Sequence, residues 1–180
     1  MPASRTSYAG REKMALISKG EFVADDWRRL ADEEALPENG KIIISLERLD
    51  NALKARGANG DIGVIIDNTL EIDKLTPVLA KLGLIAIAFP SFADGRGFSL
   101  ARLVRRAGYR GELRASGRLL ADQYAHALGC GFDTVEIPDD LAQRQNETQW
   151  RSASKTHQRT YQRGYLSSGS ILDARRKAMQ

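Results

Sequence analysis

The chain of 180 residues predicts an α/β fold, about five parallel strands alternating with helices in an open sheet or half-barrel. Two observations predict it. Short apolar runs open near residues 42, 62, 84, 112 and 134, and a stretch of helical or loop character follows each. That regular alternation means a parallel sheet with right-handed crossovers. Five units are too few for a closed eight-stranded barrel of about 250 residues. A half-barrel would bury its open side by pairing with a second copy.

In chain order, Leu16-Ile17, Lys19-Gly20 and Phe22-Val23 suit a small hairpin with Trp27 behind it. Residues 31–40 form a loop, punctuated by Pro37 and Asn39-Gly40. Ile42-Ile43-Ile44 is the first apolar strand. Ser45 is placed to cap a helix striped by Leu46, Leu49 and Leu53. The second strand, Ile62-Gly63-Val64-Ile65-Ile66, ends in Asp67-Asn68. The next helix is expected to enter at Thr76-Pro77 and to end near Gly83.

The organising unit is Leu84-Ile85-Ala86-Ile87-Ala88-Phe89, apolar on both faces as a strand inside a parallel sheet must be. It leads into Pro90-Ser91-Phe92-Ala93-Asp94-Gly95-Arg96-Gly97-Phe98-Ser99. Ser99 is read as the N-cap of a helix with Leu100, Leu103, Val104 and Ala107 on one stripe. The returning strand, Glu112-Leu113-Arg114-Ala115-Ser116, differs from the others by alternating apolar with polar residues. Alternation of this kind marks an edge strand with one wet face. The competing reading is a polar cavity or interface lined by Arg114. Leu120, Tyr124, Ala127 and Leu128 make one more helix, closed by Gly129-Cys130-Gly131. Thr134-Val135-Glu136-Ile137 is the last strand.

The net charge of +4 is unevenly spread. Beyond residue 140, eight Lys/Arg face only Glu147 and Asp173; the body between residues 20 and 141 is net acidic. The chain therefore divides into an N-terminal arm at 1–14, one α/β domain at 15–140 and a basic polar tail at 141–180. Trp150, Tyr161 and Tyr165 lie among Arg151, Arg159 and Arg163 in that tail. Docking on an acidic protein surface accounts for this better than nucleic-acid binding, and truncation at 141 should leave the body folded. There is no apolar run of the roughly 20 residues that a membrane span needs, and no signal-peptide pattern opens the chain. A cytoplasmic protein is expected.

The loop after the central strand is the candidate site. Asp94, Gly95, Arg96 and Gly97 combine permissive backbone with a fixed positive charge at a helix start, where amides and helix dipole favour anions. Ser99 opens that helix. Arg118, beyond the next strand, and Asp67 and Asn68, beyond the preceding one, should reach the same sheet edge, where open α/β sheets bind ligands. Together they would make a cup for a small oxyanion, with Arg96 and Arg118 side by side. The plainer alternative is an Asp94–Arg96 pair that only holds a tight turn. His126 and His157 lack the neighbours of a metal site. Cys130, the single cysteine, suits packing better than nucleophilic chemistry, for which it would need electropositive surroundings. No nucleotide fingerprint and no flavin, nicotinamide, haem or iron–sulfur motif occurs, so no cofactor is expected.

Phe89-Pro90-x-Phe92-x-Asp94-Gly95-Arg96-Gly97-Phe98-Ser99-x-Ala101-Arg102 resembles the signature of a bacterial family, domain of unknown function 934. Gly108-Tyr109-x-Gly111-Glu112-Leu113-Arg114-Ala115-x-Gly117, Leu120-x-Asp122-Gln123 and Cys130-Gly131-Phe132-Asp133 continue the resemblance, which covers residues 15 to 137. Members are commonly encoded beside assimilatory sulfite reductase and labelled as oxidoreductases of sulfite reduction. The resemblance implies sulfate assimilation and cysteine biosynthesis as the pathway, and brings no established catalytic residues. Because the residues offer no redox group, the expected function is a non-redox accessory protein. It would bind sulfite reductase, another enzyme of sulfate assimilation, or an oxyanion. The alternatives are a small oxyanion-handling enzyme or oxidoreductase using the Asp94/Arg96 loop, or sulfur transfer through Cys130. A homodimer is compatible with all three.

Overall fold

A computed structural model describes residues 13–158. The chain forms one α/β unit on an eight-stranded sheet, in the order β2-β1-β8-β7-β6-β5-β4-β3. The strands are β1 (Met14–Ser18), β2 (Glu21–Val23), β3 (Trp27–Arg29), β4 (Lys41–Ser45), β5 (Ile62–Ile66), β6 (Leu84–Phe89), β7 (Glu112–Gly117) and β8 (Thr134–Pro138). The five expected strands are β4 to β8, all parallel to one another. The expected hairpin is β1–β2, turning on Lys19 (φ 54°) and Gly20 (φ 86°). Two consecutive left-handed residues are what a tight two-residue hairpin requires. The count is eight rather than five because the two strands of the hairpin join through β1, antiparallel to β8, and three-residue β3 adds parallel to β4. Trp27 does not sit behind the hairpin; it opens β3 at the opposite edge.

Chain connectivity shows how far the sheet curls. Laid flat, eight strands would separate β2 from β3 by about 34 Å at the usual strand spacing. Yet only Ala24, Asp25 and Asp26 link Val23 to Trp27, a reach of at most about 14 Å. The edges therefore approach each other and the sheet is an open half-barrel with a strap across its mouth. Its convex face carries Ile42, Ile44, Ile62, Val64, Ile85, Ile87, Leu113, Ala115, Val135 and Ile137, all buried in the main core. Four helices contribute to this core or pack around it: α1 (Leu49–Arg56), α2 (Arg96–Arg106), α3 (Tyr124–Cys130) and α5 (Glu147–Gln158). A one-turn α4 (Asp139–Ala142) follows β8.

The concave face is buried within a single chain. Ile43, Leu84 and Ala86 pack with Trp27 and Ile65; beside them lie Arg114, Ser116, Thr134 and Glu136, all buried. The open side thus does not depend on a second copy for its burial. Nor is β7 an edge strand: it lies between β6 and β8, so its polar alternation lines the barrel interior.

Three local expectations are corrected. The β5–β6 crossover has no α-helix, only 3-10 turns at Ile72–Lys74 and Leu79–Lys81. Pro77 lacks the amide to continue a helix between them. Ser45 makes no helix cap, because its hydroxyl donates to Asp32 at 2.8 Å instead. Residue 141 is not where a polar tail leaves the body. α5 packs on α3, and Trp150 is fully buried with its ring 5.5 Å from Tyr124. The remaining tail aromatics, Tyr161 and Tyr165, and most of the N-terminal arm lie outside the described residues.

Candidate functional site: the carboxyl edge and the barrel interior

The carboxyl ends of β5, β6 and β7 gather the predicted residues at one edge. Gly97 enters α2 directly over Phe89: a Cβ there would lie 2.4 Å from the Phe89 ring. Any side chain would push helix and strand apart, so glycine sets their spacing. The helix begins at Arg96, three residues before the expected Ser99 cap. Asp94 supplies what Ser99 was expected to: its Oδ1 accepts the Arg96 amide at 3.2 Å. Ser99 instead points to solvent in the second turn.

The Arg96 guanidinium turns back on the same carboxylate, with Nε to Oδ1 at 2.9 Å and Nη2 to Oδ2 at 2.6 Å. Asn68 is buried against this pair. Its Nδ2 has no partner of good hydrogen-bond geometry, but it faces Asp94 and favours the carboxylate. Arg96 foremost, and Asn68 next, hold the Asp94 carboxyl well below the usual carboxylate range. Asp67 is exposed beside Asn68. Arg118 reaches this edge too, since its amide donates to Phe89 O at 2.9 Å. Its guanidinium pairs with Asp140 at 3.2 Å rather than with an anion shared with Arg96. The edge collects Asp94, Gly95, Arg96, Gly97, Arg118 and Asn68, with both arginines already neutralised.

Because the folded Asp94 pKa is depressed, its stabilisation is complete above the unfolded value and disappears as pH falls through the folded one. The stability gap between the protein and its Asp94→Asn variant should be constant from pH 8 to 5 and shrink below about pH 4. Urea unfolding at each pH measures it.

The second polar constellation lies inside the half-barrel, and sequence reasoning saw only part of it. Arg114 is completely buried. It donates to Asp25 at 2.6 and 3.0 Å, to Glu112 at 3.0 and 3.2 Å, and to Glu136 at 3.4 Å. Burial opposes its charge, but the three carboxylates outweigh burial and keep it protonated above the ordinary arginine value. Arg29 crosses from edge strand β3 to Ser116 at 3.1 Å and Glu136 at 3.1 Å. Thr134 donates to Glu112 at 2.7 Å. These contacts tie β3 and the strap to β7 and β8 where no backbone ladder closes the barrel. Thr134-x-Glu136 repeats the Glu112-x-Arg114-x-Ser116 alternation one strand along; that repeat was the available signal. Nothing local in the sequence pointed to Asp25 or Arg29.

Cys130 is buried, with Sγ 3.6 Å from His126 Nε2. Burial raises the thiol pKa, and Arg102 opposes this only in part. The thiol should therefore react slowly with Ellman's reagent at pH 8 until the protein is unfolded. Cys130→Ala should cost about 1 kcal/mol in a denaturant melt, as a small packing loss does. Among the described residues, no group of three His, Cys, Asp or Glu is placed to hold a metal. No described helix is long and apolar enough to cross a membrane.

Fold and site together define a strongly curled α/β half-barrel whose interior is an ion-pair network and whose carboxyl edge is a self-paired Asp-Gly-Arg-Gly loop. The chain belongs to the family described as bacterial protein of unknown function (DUF934), whose model matches residues 63–169. The match starts later than the resemblance read from sequence, which began at 15, and runs past 137 through the α5 segment. No curated protein matches the chain.

Proposed function

We propose that this protein is a non-redox accessory protein of assimilatory sulfite reduction, acting by binding the sulfite-reducing enzyme. The supporting observation is that the arginines of the carboxyl edge and of the barrel interior are already taken up by internal partners. Arg96 is paired with Asp94, Arg118 with Asp140, and Arg114 with three carboxylates. The thiol, too, is held in its protonated form. A turnover site keeps at least one reactive group unspent and aimed at substrate; a binding protein needs only a rigid surface. The pathway rests on the family resemblance. Deleting the gene should abolish growth on sulfate and on sulfite while sulfide rescues, and the protein should copurify with the reductase. Normal growth of the deletion strain on sulfite would overturn the reading.

One observation favours a second reading. The buried Nδ2 of Asn68, which faces the Asp94 carboxylate, and the first turn of α2 both offer donors at one spot, as an oxyanion site would. An oxyanion would enter by displacing the Asp94 carboxylate from Arg96. Titration with sulfite, sulfate and phosphate, followed by amide shifts at Asn68 and Gly97, tests it. Arg96→Lys should weaken such binding, because lysine keeps the charge but loses the planar fork.

A further inference from the structure

The outer face of α2 carries a feature that neither the core nor the carboxyl-edge loop uses. Gly97, Phe98, Leu100, Ala101 and Val104 bury the inner face. Ser99, Arg102, Leu103 and Arg106 are exposed, and their i, i+3, i+4, i+7 spacing makes them one continuous stripe. Leu103 is 44% exposed between the two arginines. Arg105, next to Arg106, turns inward to the carbonyls of Gly131, Tyr109 and Gly111 and to Asp133. Arg102 and Arg106 do not follow it. The Arg102 charge opposes the burial that raises the Cys130 thiol pKa, and among the described residues no carboxylate forms an ion pair with either. The helix dipole favours cations in the last turn, which explains Arg106 but neither Arg102, a turn earlier, nor the exposed leucine between them. Two like charges four residues apart repel, and among the described residues no ion pair offsets that.

The Phe92 loop leads into the same helix. Phe92 is 57% exposed, yet its backbone is fixed: Gln123 Nε2 donates to its carbonyl at 2.8 Å, and the Asp94 amide closes the turn on Ser91 O at 3.1 Å. Phe92 and Leu103 are two of the four large apolar side chains strongly exposed among the described residues; the other two, Phe22 and Val23, are on β2. An ordered aromatic and two arginines, with an exposed leucine between the arginines, on one helix and the loop before it match the composition of binding hot spots, in which aromatic side chains and arginine dominate.

We propose that the Phe92 loop and the outer stripe of α2 form the docking surface for an acidic protein face, one with carboxylates around an apolar centre. This rests on the accessory reading above and names its surface and the chemistry of its partner. Charge complementarity selects the partner: Arg102 and Arg106 lack carboxylates of their own and can accept a partner's. A nucleic acid fits less well, since two or three phosphate contacts with an aliphatic leucine between them give little affinity at physiological salt.

The test uses the full chain and the purified sulfite-reducing enzyme in a pull-down and a calorimetric titration. A 30-residue single-stranded oligonucleotide is a separate arm. Variants are Arg102→Glu with Arg106→Glu, Leu103→Ser, and Phe22→Ser as a control on β2. All alter exposed side chains, and unchanged melting curves should confirm folding. Binding should fall about tenfold or more for the charge reversal, as it does when complementary charges become like ones. Leu103→Ser should weaken it as well, Phe22→Ser should leave it intact, and salt should weaken the unaltered complex. Absence of binding by the unaltered protein would overturn the accessory reading and this inference with it. Equal binding by the α2 variants and the unaltered protein would leave that reading standing and overturn this surface. Tighter binding to the oligonucleotide, lost on charge reversal, would overturn the choice of an acidic protein.

Discussion

Truncation at residue 141 is expected to leave a chain that does not hold its native fold. Trp150 is fully buried, its ring packs edge-on to Tyr124, and Tyr124 in turn accepts the Gly20 amide at 3.2 Å. α5 also closes over the hairpin turn: a Cβ on Gly20 would lie 2.8 Å from the Arg151 Cα. Losing α5 uncovers α3 and the β1–β2 turn together. The single change Trp150→Ala isolates the central contact and should cost about 3–5 kcal/mol, the range for deleting a buried aromatic. Against a typical total stability of about 5–15 kcal/mol, that alone brings the protein near its limit. Urea melts of Trp150→Ala, and the near-ultraviolet dichroism of the truncated chain, measure the two effects. A truncated chain that melts cooperatively at the full-length temperature would contradict the role given to α5.

The second large effect is expected at Arg114. Replacing it with methionine keeps the aliphatic bulk but leaves Asp25, Glu112 and Glu136 facing one another without their common cation. Breaking a buried pair by removing one partner costs about 3–5 kcal/mol, mainly because the remaining charge is uncompensated. Glu136 keeps Arg29 at 3.1 Å, so the cost falls on Asp25 and Glu112, whose ion pairs among the described residues are with Arg114. Adding Asp25→Asn to Arg114→Met should therefore restore part of the loss, and Glu136→Gln less, because it leaves Arg29 without its carboxylate. A double-mutant cycle in urea compares them. Larger rescue by Glu136→Gln would mean that the buried β8 carboxylate, rather than the strap, sets the energy of the network.

What the sequence determined by itself was everything that depends on local periodicity. The strands at 42, 62 and 84 were legible as short apolar runs bounded by turn residues, and those at 112 and 134 because apolar and polar residues alternate with the two-residue period of a strand. The edge location of Asp94, Arg96, Arg118 and Asn68 followed from the same pattern, since loops after parallel strands emerge on one side. Partner choice at that edge was not legible. Whether Arg96 meets Asp94 or an anion, and whether Arg118 meets Arg96 or Asp140, depends on side-chain reach across a few ångströms. Spacing along the chain does not encode that. The ambiguity at Glu112, Arg114 and Ser116 had the same origin: one polar face looks alike whether it meets water or the inside of a curled sheet. Only the tertiary structure decided it, by curling eight strands until Arg29 and Asp25, more than 80 residues away in sequence, met that face. Trp150 was hidden for a related reason. A 12-residue helix with one large apolar side chain among polar ones reads as a solvated tail, and its burial is set by the surface of α3 against which it folds.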